Sequence, residues 1–436
     1  MNGRLKQSPA HWRIGLRFSL RTLVLLVLLS AIGLGIYSWG LRRARRQAPA
    51  AATLRELGAR VMYDCDVSRQ EKVGRRSQLV VVHQSRYPEW LISRLGIDFF
   101  HNVTEVHCES SCRLSDSDVK RFWEAIGKLP DLTRLEASGG VTRPGALRTL
   151  QGHARLESLS LRWADLAPPD YSIIQSLHRL VELNLSETPV TDEGLAAISR
   201  SASLTSLDLH HAKITNAGIP YLARMKQFER LWISCTEISD EGISHLRGHP
   251  ALVDLDLCGT HISDKSLAHL ATVPRLADLD VSRTGITDAG LMHLEGHKAL
   301  TYLNLEYTAV SGDGLGSLKR VPHLEELCLG TPWQEINLAP LSGCRQLKRL
   351  KLSFVSRLNE KLADLVIPTV LELGSSRTLI DDESLGRLAL MPKLKAIHCY
   401  EVRASPVVLD EFRRMQPHCK LISQSILTDR GLRSRP

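Results

Sequence analysis

Four aspartates near the middle of the chain have the residue type and the spacing to bind positive charge. Asp254 and Asp256 occur in an Asp-Leu-Asp triplet, and the triplet returns 24 residues later as Asp278 and Asp280. If the two triplets lie on neighbouring strands about 4.8 Å apart, the four carboxylates occupy the corners of one small rectangle. Like charges at ~5 Å repel each other by roughly 1–3 kcal/mol, which a bound cation or basic group would offset.

These aspartates belong to a larger set of candidate binding residues. Trp232 follows Asp208 by 24 residues and precedes Asp256 by 24, and tryptophan is enriched at the energetic centres of protein interfaces. The candidate partner-binding residues are Asp208, Trp232, Asp254, Asp256, Asp278, Asp280, Tyr302, Glu306 and Tyr307. Three interpretations remain open: a solvated surface screened by water and salt, a surface that binds a basic or polar protein or peptide, and a Ca²⁺ site made of carboxylate oxygens.

Motifs for catalysis or nucleotide binding do not occur in this sequence. It contains no GxSxG, Walker A, GxGxxG, HExxH or EF-hand pattern. The acidic residues also have no nucleophile and base in a recognisable arrangement, which argues against a hydrolase. Cys108 and Cys112 form the one close cysteine pair. A zinc site there would also need His101 and His107, and a buried structural cysteine is the favoured interpretation. We therefore expect a protein that is not an enzyme, and we assign it no cofactor.

A repeat of 24 residues supplies the elements that position these side chains. Units begin at residue 132 and at every 24th residue up to 324, and the fourth position of all nine units is leucine. Positions 1, 4 and 6 of a unit are apolar with the close spacing of a short strand, whereas positions 16 and 19 have the spacing of a helix face. Each unit is therefore predicted to be a strand followed by a helix, with positions 3 and 5 facing outward from the strand.

Stacked units share the apolar side chains that a single unit cannot bury. At position 13, acids such as Asp192 and Asp264 follow a Thr or Ser, and we predict that these pairs cap the helix of their own unit. His249 and His297 occupy position 22, where other units carry aliphatic residues, so we predict a packing role for them. Because Asp256 at position 5 faces outward among like charges, we expect Asp256→Ala to cost almost no stability or to stabilise the protein by relieving repulsion.

The N-terminus combines an apolar segment with clustered positive charge. Residues 22–41 carry no charge, and as a helix they would span about 30 Å of bilayer hydrocarbon. Residues 1–60 hold eleven of the chain's 56 Lys and Arg but one of its 47 Asp and Glu, which indicates lipid head groups rather than nucleic acid as the neighbour of this charge. A signal peptide cleaved near Ala48-Pro49-Ala50 is the alternative. Five basic residues before the segment and four just after it leave the orientation open.

The repeat pattern LxxLxLxxTxITDxGLxxL resembles the leucine-rich repeat, in the subtype found in ribonuclease-inhibitor-like and F-box-associated repeats. With Arg17 to Leu23 (RFSLRTL) and the apolar segment, the chain resembles a large family of bacterial membrane-anchored leucine-rich repeat proteins. The resemblance implies an α/β solenoid: a horseshoe with a parallel β-sheet on its concave face and helices on its convex face, preceded by one transmembrane helix. It implies no particular ligand.

The predicted organisation has six parts. They are a basic tail at 1–21, a transmembrane helix at 22–41, a basic linker at 42–50, an N-terminal cap at 51–102, about 13 leucine-rich units at 103–427, and a frayed tail at 428–436. The cap is expected to contain strands near 61–63 and 79–83 and a helix after Pro88.

The sequence thus predicts a membrane-anchored recognition scaffold whose concave face binds a protein or peptide, basic or polar in character, and no nucleic acid. The alternative is the substrate-recognition subunit of a ubiquitin-ligase-like complex, because F-box proteins use similar repeats. No candidate F-box helices precede the repeats in this sequence.

Overall fold

A computed structural model describes residues 20–73, 76–108, 114–330, 337–353, 370–374, 379–391 and 394–427. The chain falls into two compact units, one of residues 1–52 and 62–103 and the other of residues 53–61 and 104–436. The predicted frayed tail at 428–436 and nearly all of the predicted basic tail at 1–21 lie outside the described residues.

The described helices are short apart from the first. They are α1 Leu20–Glu56, α2 Glu89–Leu95, α3 Ile97–Phe100, α4 Asp116–Ile126, α5 Pro168–Ser176, α6 Asp192–Ile198, α7 Ile219–Ala223, α8 Asp240–Ser244, α9 Asp264–Leu270, α10 Asp288–Leu291, α11 Asp382–Ala389 and α12 Pro406–Met415. Short 3-10 helices occur at Gly139–Val141, Ala146–Leu150, Met292–Leu294, Gly314–Arg320 and Ala339–Gly343.

The strands are mostly three to five residues long. They are β1 Arg60–Tyr63, β2 Asp66–Val73, β3 Arg76–His83, β4 Val103–Cys108, β5 Arg134–Ala137, β6 Ser158–Ser160, β7 Glu182–Asn184, β8 Ser206–Asp208, β9 Arg230–Trp232, β10 Asp254–Asp256, β11 Asp278–Asp280, β12 Tyr302–Asn304, β13 Glu326–Leu329, β14 Arg349–Ser353, β15 Val370–Gly374, β16 Leu379–Ile380, β17 Ala396–Arg403 and β18 Lys420–Leu427.

Helix α1 dominates the first unit and carries a stretch that is long and apolar enough to cross a membrane. Its apolar side chains are exposed, Leu34 to 68%, and by length and composition it fits a membrane span or a signal sequence. The segment 42–50, predicted as a linker, is instead helical and continuous with this stretch. Arginine, alanine and glutamine are good helix formers, and Gln47 Nε2 fixes the segment by donating to the carbonyl of His101 at 2.6 Å.

The second compact unit, residues 53–61 and 104–436, is built on a parallel sheet. Strands β4 to β15 lie side by side in chain order, each parallel to the next. From β5 to β13, neighbouring strands pair at a constant offset of 24 residues, so that Leu255 lies opposite Leu231 on one side and Leu279 on the other. The predicted α/β solenoid, with one strand and then a helix or turn in each unit, is confirmed.

The apolar positions of the repeat form the core of this unit, as predicted. The leucines at position 4, from Leu135 to Leu327, are at most 2% exposed. Positions 16 and 19 are also buried, for example Leu267 and Leu270 on α9. Positions 3 and 5 are mostly half-buried and form the outward surface of the strands, which we call the strand face.

The turn after each strand has a conformation that the repeat pattern does not predict. Position 8 has a positive φ in six units without being glycine, at Trp163, Glu187, His211, Cys235, Arg283 and Tyr307. A left-handed residue of this kind costs roughly 1–2 kcal/mol, and the cost is offset because its N–H continues the ladder between units. For example, the Cys235 N–H donates to the carbonyl of Cys258 at 2.7 Å.

The acids at position 13 lie in the first turn of their own helices, as predicted, but their carboxylates accept hydrogen bonds from the next unit. The predicted side-chain cap forms at Thr287, whose hydroxyl accepts from the N–H of Ala289, but not at Thr191, Ser239 or Ser263. Asp264 Oδ1 accepts from the backbone N–H of Thr287 at 2.8 Å, and its Oδ2 accepts from the Thr287 hydroxyl at 2.7 Å. The partner lies 23 residues ahead, in the next unit. Asp192 binds Thr215 and Asp240 binds Ser263 in the same way. The Thr or Ser at position 12 thus receives the carboxylate of the preceding unit.

This connection explains the glycine at position 15. A Cβ on Gly290 would lie 2.3 Å from Asp264 Oδ1, the atom that accepts from Thr287. We expect Gly290→Ala to lower the free energy of unfolding by roughly 1–3 kcal/mol, since the carboxylate must move and its bonds weaken. Gly386→Ala is the control, because nothing lies within 4 Å of that position in α11 and alanine favours a helix. Chemical denaturation giving equal effects for the two substitutions would rule out this role for Gly290.

Candidate functional site

The structure brings most of the candidate binding residues together on four adjacent strands, β9 to β12. Asp254 lies opposite Asp278, and Asp256 lies opposite Asp280. We call these four residues the aspartate quartet. Trp232 lies beside Asp256, with Asp208 on its other side, and Tyr302 lies beside Asp278. All seven side chains are half-buried on the strand face.

The position-5 aspartates are held by the fold itself. Asp208, Asp256 and Asp280 each accept from the backbone N–H two residues ahead, at 3.0, 2.8 and 2.9 Å. The second oxygen of each accepts from a side chain of an adjacent unit: Asn184, Ser234 and Asn304 respectively. Position 5 thus closes the turn after the strand. The expectation that Asp256→Ala costs almost no stability is therefore replaced by a cost of about 1–3 kcal/mol, because buried donors would lose their acceptor.

The position-3 aspartates are held less firmly than those at position 5. Asp254 Oδ1 accepts from the indole Nε1 of Trp232 at 3.1 Å. Asp278 Oδ1 accepts a long hydrogen bond, 3.4 Å, from the hydroxyl of Thr301. Asp254 and Asp278 are therefore the members of the quartet best placed to bind something outside the chain.

Electrostatic compensation differs between the quartet and four glutamates of the strand face. Among the described residues, Glu105, Glu136, Glu182 and Glu326 each lie within 4.0 Å of a basic side chain, whereas neither Asp208 nor any quartet carboxylate does. Burial raises the pKa of Asp254 and of Asp256, and the charge of Asp280 raises both, while Arg230 lowers the pKa of Asp254 and His210 lowers that of Asp256 in part. The quartet is thus a concentration of negative charge with no basic side chain within 4.0 Å in the described part of the chain.

Calcium is a poor fit to this arrangement. Ca²⁺ takes six to eight oxygen ligands, but both oxygens of Asp256 and of Asp280 already accept hydrogen bonds within the solenoid. A bound ion would have to compete with those bonds or rely on Asp254 and Asp278 alone. A basic side chain needs fewer contacts and suits the two position-3 carboxylates better.

A pocket of about 230 Å³ lies on the other side of Trp232. It is lined by Arg134, Ser158, Leu159, Ser160, Glu182, Leu183, Asn184, Ser206, Asp208, Arg230 and Trp232. Small serines from neighbouring strands make room for it, and Glu182 lies near two arginines, 3.2 Å from Arg230 and 3.8 Å from Arg134. The repeat pattern alone does not predict this pocket, because its lining comes from several units.

Three other candidate residues are engaged within the solenoid. Glu306 binds Lys351 at 3.2 Å and Ser353 at 2.6 Å. Tyr307 is one of the left-handed residues at position 8, and the guanidinium of Arg283 lies 4.6 Å from the centre of its ring. The hydroxyl of Tyr302 is 3.7 Å from Cys328 Sγ. Glu306 and Tyr307 therefore border the strand face rather than join the quartet.

Cys108 and the position-22 histidines have structural roles in the parallel-sheet part of the chain. Cys108 is completely buried, as predicted, while Cys112 lies outside the described residues. At position 22, His249 donates from Nε2 to the carbonyl of Met225, and its Nδ1 accepts from the N–H of Leu252. His297 makes the equivalent pair of bonds. The predicted packing role of these two histidines is confirmed, and each also links two units.

His107 forms a pH-dependent ion pair with two glutamates of the parallel sheet. Its ring lies 3.1 Å from Glu105 and 3.2 Å from Glu136, and hydrogen bonds to these glutamates raise its pKa from 6.5 to about 9. Protonated His107 stabilises the folded state, and this stabilisation is fully present below pH 6.5, the pKa of an unperturbed histidine. The stabilisation is lost as the pH rises through about 9, the pKa of His107 in the folded state.

We therefore expect the melting temperature of the wild type to exceed that of His107→Gln by a margin that shrinks between about pH 6 and about pH 10. The comparison of the two proteins removes the contribution of other groups that titrate in this range. A margin that stays constant across these pH values would contradict the ion pair.

A family model agrees with the repeat pattern, and solved structures show weaker similarity. The family model for the Leucine Rich repeat matches residues 177–199 and 200–223. No curated protein matches the chain in sequence. Among solved structures, an internalin (inlF) from Listeria monocytogenes is 19% identical, covers 81% of this chain and 87% of its own, and has a TM-score of 0.40. An internalin C2 (inlC2) from the same organism is 19% identical, covers 55% and 84%, and has a TM-score of 0.35.

The matched family model and the parallel strand register show an α/β solenoid with leucine-rich repeats at residues 177–223. Proteins of this architecture are commonly scaffolds for protein–protein interaction.

Proposed function

We propose that this protein is a membrane-anchored, non-enzymatic recognition scaffold whose strand face binds a basic segment of another protein. The observation that carries the proposal is the aspartate quartet: among the described residues, none of its four carboxylates lies within 4.0 Å of a basic side chain, whereas Glu105, Glu136, Glu182 and Glu326 of the same face do. A partner that supplies positive charge would relieve the repulsion within the quartet. Such complementarity accelerates association and selects against acidic competitors.

The chemistry of the face favours lysine or arginine as the bound residue. A guanidinium donates to two carboxylate oxygens at once, and Asp254 and Asp278 lie on adjacent strands in register. Trp232, held by its bond to Asp254, offers a ring against which a guanidinium or an apolar side chain can pack. A neighbouring side chain of the partner would enter the serine-lined pocket.

Anchoring by α1 is the second part of this proposal. The exposed apolar side chains of α1, among them Leu25, Leu29 and Ile36, would be stable in a bilayer and costly in water. We expect the full-length protein to stay with membranes during alkaline carbonate extraction. Release into the soluble fraction, or a mature N-terminus that begins after Ala50, would instead indicate a cleaved signal sequence.

The binding test uses the full-length chain in the membranes of the cells that make it. Proteins cross-linked to the wild type are compared with those cross-linked to Asp254→Asn with Asp278→Asn, which removes two charges and keeps side-chain oxygens. The matched control is Glu193→Gln with Asp313→Asn, which removes two charges away from the strand face. We expect one partner with a basic surface segment to be lost from the first variant and kept by the second.

Equal recovery of the same partners by all three proteins would contradict binding on the quartet. Recovery of ubiquitin-ligase subunits with the wild type would favour the alternative function as a substrate-recognition subunit.

A further inference from the structure

Three side chains that can bind a transition metal meet at the edge of the sheet, away from positions 3 and 5. His210 and His211 occupy positions 7 and 8 of one unit, and Cys235 occupies position 8 of the next. One ring nitrogen of each histidine and the Sγ of Cys235 all lie within 4.8 Å of one another. Metal-binding sequence motifs with short spacings do not include this group, because its histidines and its cysteine are about one repeat apart in sequence.

The backbone at this edge holds the three residues side by side. His211 and Cys235 have φ values of 56° and 54°, and the N–H of His211 donates to the carbonyl of Ser234 at 3.0 Å. The two left-handed turns therefore place consecutive units in the same conformation, with their position-8 side chains adjacent. The imidazole rings of His210 and His211 lie edge to face, with their centres 4.3 Å apart.

A hydrogen-bond relay fixes the tautomer of His210. Its Nδ1 lies 2.6 Å from the hydroxyl of Ser234, which in turn lies 3.0 Å from Asp256 Oδ2. A carboxylate can only accept, so the hydroxyl donates its single proton to Asp256 and accepts from the Nδ1–H of His210. The lone pair of His210 is then on Nε2. Histidines that bind metals are oriented in this way by an acceptor on the other nitrogen.

In a second group of potential metal ligands, the histidine has no free lone pair. Asp64, Cys65 and His101 also lie within 4.8 Å of one another, but His101 uses Nδ1 on Asp64 at 2.6 Å and Nε2 on Ser85 at 2.8 Å. With both nitrogens engaged, this histidine has no lone pair to offer. The contrast singles out the group around His210.

We propose that His210, His211 and Cys235 form a binding site for Zn²⁺. Two imidazoles and one thiolate are ligands that zinc favours and that Ca²⁺ and Mg²⁺ do not. Tetrahedral zinc places such atoms roughly 3.4–3.6 Å apart, so the side chains, whose ligand atoms lie within 4.8 Å of one another, would rotate toward the ion on binding. Coordination replaces the thiol proton of Cys235, which passes to the solvent. Three protein ligands leave the fourth position to water. The site shares Asp256 with the quartet through this relay, but it does not rest on the function proposed for the quartet.

The test uses Co²⁺ as a spectroscopic probe of the full-length protein in detergent, followed by displacement with Zn²⁺. We expect wild type to develop a thiolate-to-cobalt charge-transfer band, and Zn²⁺ in slight excess to abolish it, while Ca²⁺ leaves it unchanged. Cys235→Ser should remove the band and weaken Zn²⁺ binding by more than about 100-fold, and Ser234→Ala should weaken it by about 10- to 100-fold through the relay.

His261→Gln is the matched control, because this exposed histidine on the following unit already lies 3.2 Å from Glu237; it should bind zinc as the wild type does. A charge-transfer band that survives in Cys235→Ser would overturn the site, as would wild-type protein that binds Zn²⁺ no more tightly than Cys235→Ser. Equal melting temperatures of the metal-free proteins exclude a folding defect as the cause of lost binding.

Discussion

Leu255→Ala is expected to lower the free energy of unfolding by about 2–5 kcal/mol, because it leaves a cavity in a core that cannot fully close around it. Leu255 is completely buried and lies between Leu231 and Leu279 on the neighbouring strands. In a repeat protein, each unit contacts its neighbours alone, so the cavity weakens two interfaces at once. Chemical denaturation followed by circular dichroism measures the change.

The control for this substitution is Asp278→Asn on the adjacent strand. Its carboxylate accepts a long bond from Thr301, which an asparagine oxygen can also accept, so the change should stay within about 0.5 kcal/mol of the wild type. A similar loss of stability from Asp278→Asn and from Leu255→Ala would show that the buried and outward positions of the strand have been misassigned.

Trp232→Ala is expected to weaken binding of the partner by about 2 kcal/mol or more, a factor of ~30 in Kd. The ring is half-buried between Asp208 and Asp256, and its indole N–H holds Asp254. Trp232→Ala removes the surface against which the partner packs, and it leaves Asp254 without the hydrogen bond from the indole N–H. Trp232→Phe should show an intermediate loss, because it keeps a ring and removes the hydrogen bond.

Trp163→Ala provides a matched control for this effect. Trp163 is 46% exposed at position 8 of another unit and packs against Arg162, outside the quartet and the pocket. Affinity measured by titration calorimetry should be unchanged by Trp163→Ala. Equal losses from the two tryptophan substitutions would place the binding surface along the edge of the sheet instead.

The buried core of the parallel-sheet part could be predicted from the sequence, because the pattern of apolar residues that marks it lies within each repeat. The spacing of positions 1, 4 and 6 and of positions 16 and 19 identified side chains that are now seen to be buried. The constant period also predicted the register that brings Asp254 opposite Asp278. Each of these inferences needs the residue types of one unit and the length of the repeat.

Features that depend on contacts between units could not be predicted in the same way. Asp264 has the composition of a helix cap, yet its hydrogen bonds go to Thr287 in the next unit. Positions 3 and 5 look equivalent by alternation, but the turn after the strand places a backbone N–H within reach of position 5 alone. Residues 42–50 consist largely of good helix formers, and the hydrogen bond from Gln47 to the carbonyl of His101, a residue distant in sequence, could not be predicted from the segment itself.

The salt dependence of binding tests recognition by the aspartate quartet most directly. Peptides selected from a random library against the full-length wild type provide ligands even while the natural partner is unidentified. We expect these peptides to be rich in lysine and arginine and their affinity to fall as salt rises, and we expect Asp254→Asn with Asp278→Asn to flatten this dependence. Peptides without excess positive charge, or an equally steep salt dependence for wild type and variant, would contradict recognition of a basic partner by the aspartate quartet.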